Sequence, residues 1–183
     1  SEGDEDFWKN IEVPGECFMQ GYAIKHHEPH IYLKRVKIPD DYAGKRILIS
    51  FEGVYSYTKM WINGEAVDDH YGGFTAFEWD ITDFVNPGEI AKLVVEIRDF
   101  KNDVSYASGY AYHQIGGILR DVNIRAIPEV HFSDIYYETD LDEQYKDARL
   151  TLHYKLSKDT TAELTYQLFD PSGNSILENK SFR

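Results

Sequence analysis

The chain has 183 residues, of which 42% are hydrophobic and 15% aromatic, and its 19 Lys and Arg against 32 Asp and Glu give a formal net charge of −13. This length fits one large domain or one domain plus a fragment, and it excludes an eight-stranded α/β barrel of about 250 residues. The acidic balance argues against nucleic acid and anionic membranes as partners, because both attract clustered cations.

No apolar run approaches the roughly 18 residues of a membrane span, and no N-terminal run resembles a signal peptide. The single cysteine, Cys17, excludes an intrachain disulfide. No Ser/Cys–His–Asp pattern surrounds it, so we expect a packed thiol rather than a nucleophile.

The chain is predicted to be nearly all β-strand up to Pro128. Strands with alternating apolar and polar residues are predicted at 31–38, 46–52, 59–62, 65–67, 74–81, 92–98 and 119–126. Asn63-Gly64 predicts a two-residue hairpin turn of type I′, which needs positive φ at both positions. Only 82–85 is predicted as a short helical turn, so the pattern favours a β-sandwich or jelly roll.

A new series of strands is predicted after Pro128. They lie at 130–139, 149–156, 162–169 and 175–180. Four strands are about half of a seven-stranded immunoglobulin-like sandwich, and half a sandwich exposes strand edges and an apolar face. We therefore expect a piece of a longer protein, or missing strands that another molecule supplies.

Several strings in the first part resemble one known family. They are Trp8-Lys9-Asn10-Ile11-Glu12-Val13-Pro14-Gly15, then Phe51-Glu52-Gly53-Val54, Trp61-Ile62-Asn63-Gly64 and 72–82, and finally Gly116-Gly117-Ile118-Leu119-Arg120-Asp121-Val122. In order and spacing the chain resembles the N-terminal sugar-binding domain of glycoside hydrolase family 2, which includes β-galactosidases, β-glucuronidases and β-mannosidases.

The resemblance implies an all-β fold in two domains. A galactose-binding-like jelly roll would occupy 1–127, and the start of an immunoglobulin-like β-sandwich would occupy 128–183. A TIM barrel that holds two catalytic glutamates would follow, outside this chain. The acid-rich turns at 40–41, 68–69 and 140–143 are then expected to be solvated surface.

Hydrolysis needs two carboxylates that flank one glycosidic bond. Because the resemblance implies that both lie on the barrel outside this chain, we predict no catalytic residue here. We also predict no cofactor. The parent enzyme is expected to hydrolyse O-glycosyl bonds of a β-galactoside, with glucuronides and mannosides as alternatives. The acidic balance of this chain and its lack of disulfides fit a bacterial periplasmic or cytoplasmic enzyme equally well.

Loop 100–114 is the predicted contact to substrate, because the resemblance implies that loops of the first domain reach the barrel mouth. Aromatic rings stack on a pyranose, and polar side chains bond its hydroxyls. The predicted rim residues are Asn102, Asp103, Tyr112, His113 and Gln114. Some family members carry an acid just before the Gly-Ile motif; positions 109–111 hold none here, and Asp103 is the acid that could compensate. The alternative is that the loop only packs against the barrel or the second domain.

The string His26-His27-Glu28-Pro29-His30 invites a metal-site interpretation. It lacks the His-Glu-x-x-His spacing, and Pro29 disfavours the helix that this motif needs, so an exposed loop or a sugar or domain contact is preferred. Asp80 and Asp83 are expected to cap a turn rather than to bind calcium. No metal site is therefore predicted.

Three functions remain in competition. The first is a non-catalytic region of a glycoside hydrolase that shapes the active-site rim and braces the barrel. The second is a free-standing, lectin-like carbohydrate-binding module, and the third is a structural scaffold domain. The incomplete second domain favours the first.

Overall fold

The computed structural model describes residues 7–23, 25, 27–99 and 115–182, with side chains up to Leu177. The chain divides into two compact units, Ser1–Glu129 and Val130–Arg183. The strands of the first unit are β1 His30–Lys37, β2 Arg46–Phe51, β3 Val54–Tyr55, β4 Tyr57–Ile62, β5 Glu65–Tyr71, β6 Phe77–Asp80, β7 Ile90–Arg98, β8 Gly117–Ile118 and β9 Val122–Ile127. Those of the second are β10 Phe132–Leu141, β11 Ala148–Leu156, β12 Leu164–Phe169 and β13 Ser175–Phe182.

Short 3-10 turns accompany the strands at Phe18–Gln20, Asp40–Tyr42 and Thr82–Phe84. The last of these confirms the predicted helical turn. Among the described residues, no helix is long and apolar enough to cross a membrane. The all-β fold predicted from the alternating pattern is thus confirmed.

The core of the first unit lies between two antiparallel sheets. One has the strand order β1-β7-β4-β5 and the other β6-β2-β9, and a short pair, β3-β8, adds to them. Along β4 every second residue is buried, so that Met60 and Ile62 point inward while Lys59 and Trp61 point outward. The inward residues meet Ile49 and its neighbours on β2 in one hydrophobic cluster. Burial of such alternating side chains is the main source of stability in a sandwich.

The Asn63-Gly64 turn forms as predicted. Ile62 pairs with Glu65 across a two-residue loop, and φ is 52° at Asn63 and 93° at Gly64. Positive φ at both positions matches a type I′ turn, whose twist suits a hairpin.

The strand predicted at 65–67 extends to Tyr71 in the structure, and two other predicted strands begin three residues later than expected. The strand expected at 74–81 begins only at Phe77, because Phe74 instead packs on the ring of Tyr55 with centroids 5.4 Å apart. The strand expected at 119–126 begins at Val122, because the Leu119 N–H donates to the Gly53 carbonyl at 2.9 Å and bends the chain there.

The second unit consists of two hairpins, β10-β11 and β12-β13. Cross-strand partners on β10 and β11 share a face, and one face is apolar. We call it the open face; it carries Ile135, Tyr137, Leu150, Leu152 and Tyr154, each at least 47% exposed. The four predicted strands are present, and their assignment to an immunoglobulin-like domain remains a prediction.

Candidate functional site

The predicted rim residues Asn102, Asp103, Tyr112, His113 and Gln114 lie outside the described residues, as does the whole of 100–114. The chain on either side of this loop is described. The His27 N–H donates to the Asp99 carbonyl at 2.9 Å, and the Cys17 N–H donates to the Gly116 carbonyl at 2.9 Å. Both flanks of the loop are therefore bonded to the N-terminal segment.

The Gly-Gly-Ile motif explains how the second of these contacts forms. Gly117 has φ of 118°, and a Cβ built there would lie 2.9 Å from the Cys17 Sγ and 3.0 Å from the Tyr32 hydroxyl. Only glycine fits this conformation and this space without strain. The Gly15 N–H also donates to the Ile118 carbonyl at 2.8 Å, so the N-terminal segment runs along the motif like an added strand.

Cys17 is a packed thiol, as predicted. It is 2% exposed, and its Sγ lies 2.9 Å from the Tyr32 hydroxyl. Burial, more than any neighbouring charge, raises the pKa of Cys17. Burial and the contact with Cys17 also raise the pKa of Tyr32. Both groups stay protonated at neutral pH, and a neutral, enclosed thiol is a poor nucleophile.

A cavity of about 370 Å³ lies beside this pair and is lined mainly by apolar side chains. Trp8, Tyr22 and His30 are among the residues that line it. The buried Nε2 of His30 has no hydrogen-bond partner among the described residues. The lining suits an apolar contact better than acid–base chemistry.

The His-rich string does not come together as a cluster in the described residues. His26 lies outside them, His27 takes a left-handed conformation with φ of 66°, and Glu28 pairs with Lys25 at 3.3 Å on the surface. In the part of the chain that the structure describes, no group of three or more His, Cys, Asp or Glu could hold a metal ion.

Asp80 caps the turn that follows β6, as predicted. One of its carboxylate oxygens accepts the Thr82 N–H at 3.0 Å, and the other accepts a hydrogen bond from Arg46 at 2.9 Å. Burial opposes ionisation of Asp80, but the Thr82 and Arg46 contacts outweigh it and lower its pKa. These bonds occupy the carboxylate in the way that a structural cap requires.

Two features of this site were not predicted from the sequence. One is the packing of Cys17 and Tyr32 against Gly117, and the other is the pairing of β3 with β8. The signal for the first was the Gly116-Gly117 doublet, which marks a backbone position that needs positive φ or close approach. The second has no comparable signal, because two-residue strands leave almost no periodicity.

The described residues define the class of protein: it is an antiparallel β-sandwich module in which the residues on either side of 100–114 are hydrogen-bonded to the segment that precedes β1. Residues 4–128 match the model of the sugar-binding domain of the glycosyl hydrolases family 2. The chain therefore belongs to glycosyl hydrolase family 2.

Relatives in this family are much longer than this chain. The β-galactosidase of Clostridium acetobutylicum is 36% identical over 191 residues, which cover 91% of this chain and 21% of that protein. The β-galactosidase of Thermoanaerobacter pseudethanolicus is 36% identical over 112 residues, which cover 60% of this chain and 15% of that protein. This chain thus spans only about a fifth of the length of such relatives.

Solved structures share the fold at lower identity. The β-glucuronidase of Ruminococcus gnavus has a TM-score of 0.76 at 19% identity, over 93% of this chain and 31% of that one. The β-glucuronidase 2 of Bacteroides uniformis has a TM-score of 0.77 at 24% identity, over 100% of this chain and 24% of that one. These matches extend beyond the first unit and confirm the predicted all-β sandwich fold class.

Proposed function

We propose that this chain is the non-catalytic, sugar-binding N-terminal region of a glycoside hydrolase that acts on β-galactosides. The observation that carries the proposal is the match of 91% of this chain to 21% of a β-galactosidase. The greater part of that relative, which lies outside the match, has room for a catalytic barrel. Galactosides are preferred over glucuronides because the β-glucuronidase likenesses lie at or below 24% identity and concern the fold.

In this proposal, loop 100–114 forms part of the active-site rim. Its residues Tyr112, His113 and Gln114 would contact the non-reducing sugar, with Asn102 and Asp103 completing the set. The support from the structure is the attachment of both loop flanks to the N-terminal segment by 2.9 Å hydrogen bonds. A loop whose ends are held against a packed sandwich loses less conformational freedom when substrate binds.

The second unit would brace the barrel as part of a larger sandwich. Its open face exposes Tyr137 by 73% and Ile135 by 56%. Contiguous exposed apolar side chains on a sheet mark a surface that another element covers. In the parent enzyme, further strands of the same polypeptide would cover it, so we regard Val130–Arg183 as part of an immunoglobulin-like domain.

The rim role is tested in the parent enzyme with a nitrophenyl β-galactoside. Tyr112→Ala and His113→Ala should each lower kcat/KM by about 3–10-fold, mainly through KM, because each removes a substrate contact. Tyr145→Asn is a matched control, since Tyr145 is 80% exposed and its φ of 56° suits asparagine. Unchanged kinetics in both loop variants would refute the rim role.

The non-catalytic assignment has a separate test. The purified 183-residue chain should not hydrolyse the same substrate. Hydrolysis by this chain that an acid-to-amide change abolishes would contradict the assignment. A parent reading frame without a barrel pattern would instead favour a free-standing carbohydrate-binding module.

A further inference from the structure

The outward face of the β1-β7-β4-β5 sheet contains a depression of about 480 Å³. It is lined by Tyr57, Lys59 and Trp61 of β4 and by Glu96 and Arg98 of β7, and the alternation that buries their sequence neighbours turns these five side chains outward. Asp69 and Tyr71 on β5 pair with Lys59 and Tyr57 and are exposed. We call these seven residues together the outer patch. The volume falls within the range of small-ligand sites.

Strand register arranges the outer patch into two rows. In the first row, Glu96 pairs with Lys59, and Lys59 pairs with Asp69 on β5. Adjacent charges in this row therefore alternate in sign. Glu96 also forms an ion pair with Arg98. With two cations and two anions, the patch has no net charge to attract an ionic ligand.

The second row places aromatic rings beside these charges. Tyr57 pairs with Arg98 on one side and with Tyr71 on the other, and the two tyrosine rings lie 5.7 Å apart. Tyr71 is 49% exposed. Trp61 follows Lys59 on the outward face of β4, and the Lys59 ammonium lies 5.2 Å from the centre of the Trp61 ring. A ligand in contact with Trp61 is thus within reach of a charged donor.

The patch combines flat apolar surface, charged hydrogen-bonding groups and zero net charge. A neutral sugar needs this combination, because its ring presents apolar C–H faces and its hydroxyls both donate and accept. Paired carboxylate and guanidinium groups keep spare acceptor and donor positions for such hydroxyls. A charged ligand would meet repulsion from half of the patch.

We infer that the outer patch binds a neutral oligosaccharide. Trp61 and Tyr71 stack on sugar rings, and Lys59, Glu96 and Arg98 bond the hydroxyls. No residue of the outer patch lies in loop 100–114, so sugar binding at the patch is independent of the rim role. The domain would then bind a glycan chain on the outward face of its β1-β7-β4-β5 sheet.

The test is calorimetric titration of the 183-residue chain with β-1,4-linked tetrasaccharides of galactose, glucose and xylose, and with tetragalacturonate as the anionic comparison. At least one neutral probe should bind with a Kd of about 1 mM or tighter. Trp61→Ala and Lys59→Met should each weaken that binding by about fivefold or more, because one removes stacking surface and the other removes a donor. Tyr137→Ala, which removes an exposed ring from the second unit, is the control and should leave binding unchanged.

The inference is overturned if no neutral probe binds with a Kd of about 1 mM or tighter, if tetragalacturonate binds more tightly than all of them, or if both patch variants bind like the unmodified chain. Thermal unfolding of each variant verifies its fold. If Trp61→Ala does not fold, Lys59→Met decides, because it keeps the aliphatic stem that packs on the sheet.

Discussion

Replacing Gly117 with alanine should destabilise the first unit through two effects, backbone strain and crowding. The backbone at Gly117 has φ of 118°, and a Cβ there would lie 2.9 Å from Cys17, 3.0 Å from Tyr32 and 3.1 Å from the Gly15 carbonyl. Strain at such a φ costs about 1–3 kcal/mol. Crowding in a packed site adds about 1–3 kcal/mol. The free energy of unfolding should therefore fall by about 2–6 kcal/mol.

Gly64→Ala separates the two contributions. Gly64 has φ of 93°, but no atom of the described residues lies within 4 Å of a Cβ built there. This variant suffers backbone strain alone and should cost about 1–2 kcal/mol. The excess loss in Gly117→Ala then measures the crowding against Cys17, Tyr32 and Gly15.

The assay is urea unfolding followed by tryptophan fluorescence. Trp8, Trp61 and Trp79 are the three tryptophans of the chain, and all belong to the first unit, so the signal reports that unit alone. In the double variant Cys17→Ala/Gly117→Ala, the sulfur no longer obstructs the new methyl group. The double variant should therefore lose about 1 kcal/mol less than the sum of the two single variants. The reasoning is wrong if Gly117→Ala costs no more than Gly64→Ala, or if the two single losses simply add.

Two further predictions concern ionisable groups. Because the folded-state pKa of Asp80 is lowered, its contribution to stability is present above its unfolded pKa of about 3.9. This contribution is lost as the pH falls through the lower folded value, so Asp80→Asn should flatten the acid side of a plot of stability against pH. Because the folded-state pKa of Cys17 is raised, its contribution is present below its unfolded pKa of about 8.5 and is lost as the pH rises through the folded value. At neutral pH Cys17 should react with a disulfide reagent far more slowly in the native chain than in denaturant, and equal rates would contradict its burial.

Local patterns predicted most of the strands of this fold. Along β4 and β7, one side chain in two is apolar and is buried in the structure, so the sequence alone identified both strands and their inward faces. The Asn63-Gly64 turn was also predictable, because few residue pairs accept positive φ at two successive positions. In each case the determining interaction lies within a few residues along the chain.

The contacts that a local pattern could not predict are long-range. Val54 pairs with Ile118 across a long separation in sequence, and a two-residue strand has no period from which to recognise it. The ring of Tyr55 packs beside Gly73 so closely that a Cβ there would lie 2.1 Å from it, and strand β6 begins only at Phe77. For the rim, the sequence indicated loop 100–114 as a segment, while the contacts at its flanks depend on the tertiary position of Cys17 and His27.

The Gly116-Gly117-Ile118 motif connects these long-range contacts to the proposed function. Ile118 is 4% exposed and belongs to the core cluster, while the Gly116 carbonyl accepts the Cys17 N–H at 2.9 Å. One side of loop 100–114 is therefore joined to the packed sandwich within four residues of its end. The other side follows β7, whose Ile97 is 1% exposed in the same core. Since both ends of the loop are fixed by the first unit, a substitution that loosens that unit near Gly117 should also raise KM in the parent enzyme, even though it touches no substrate.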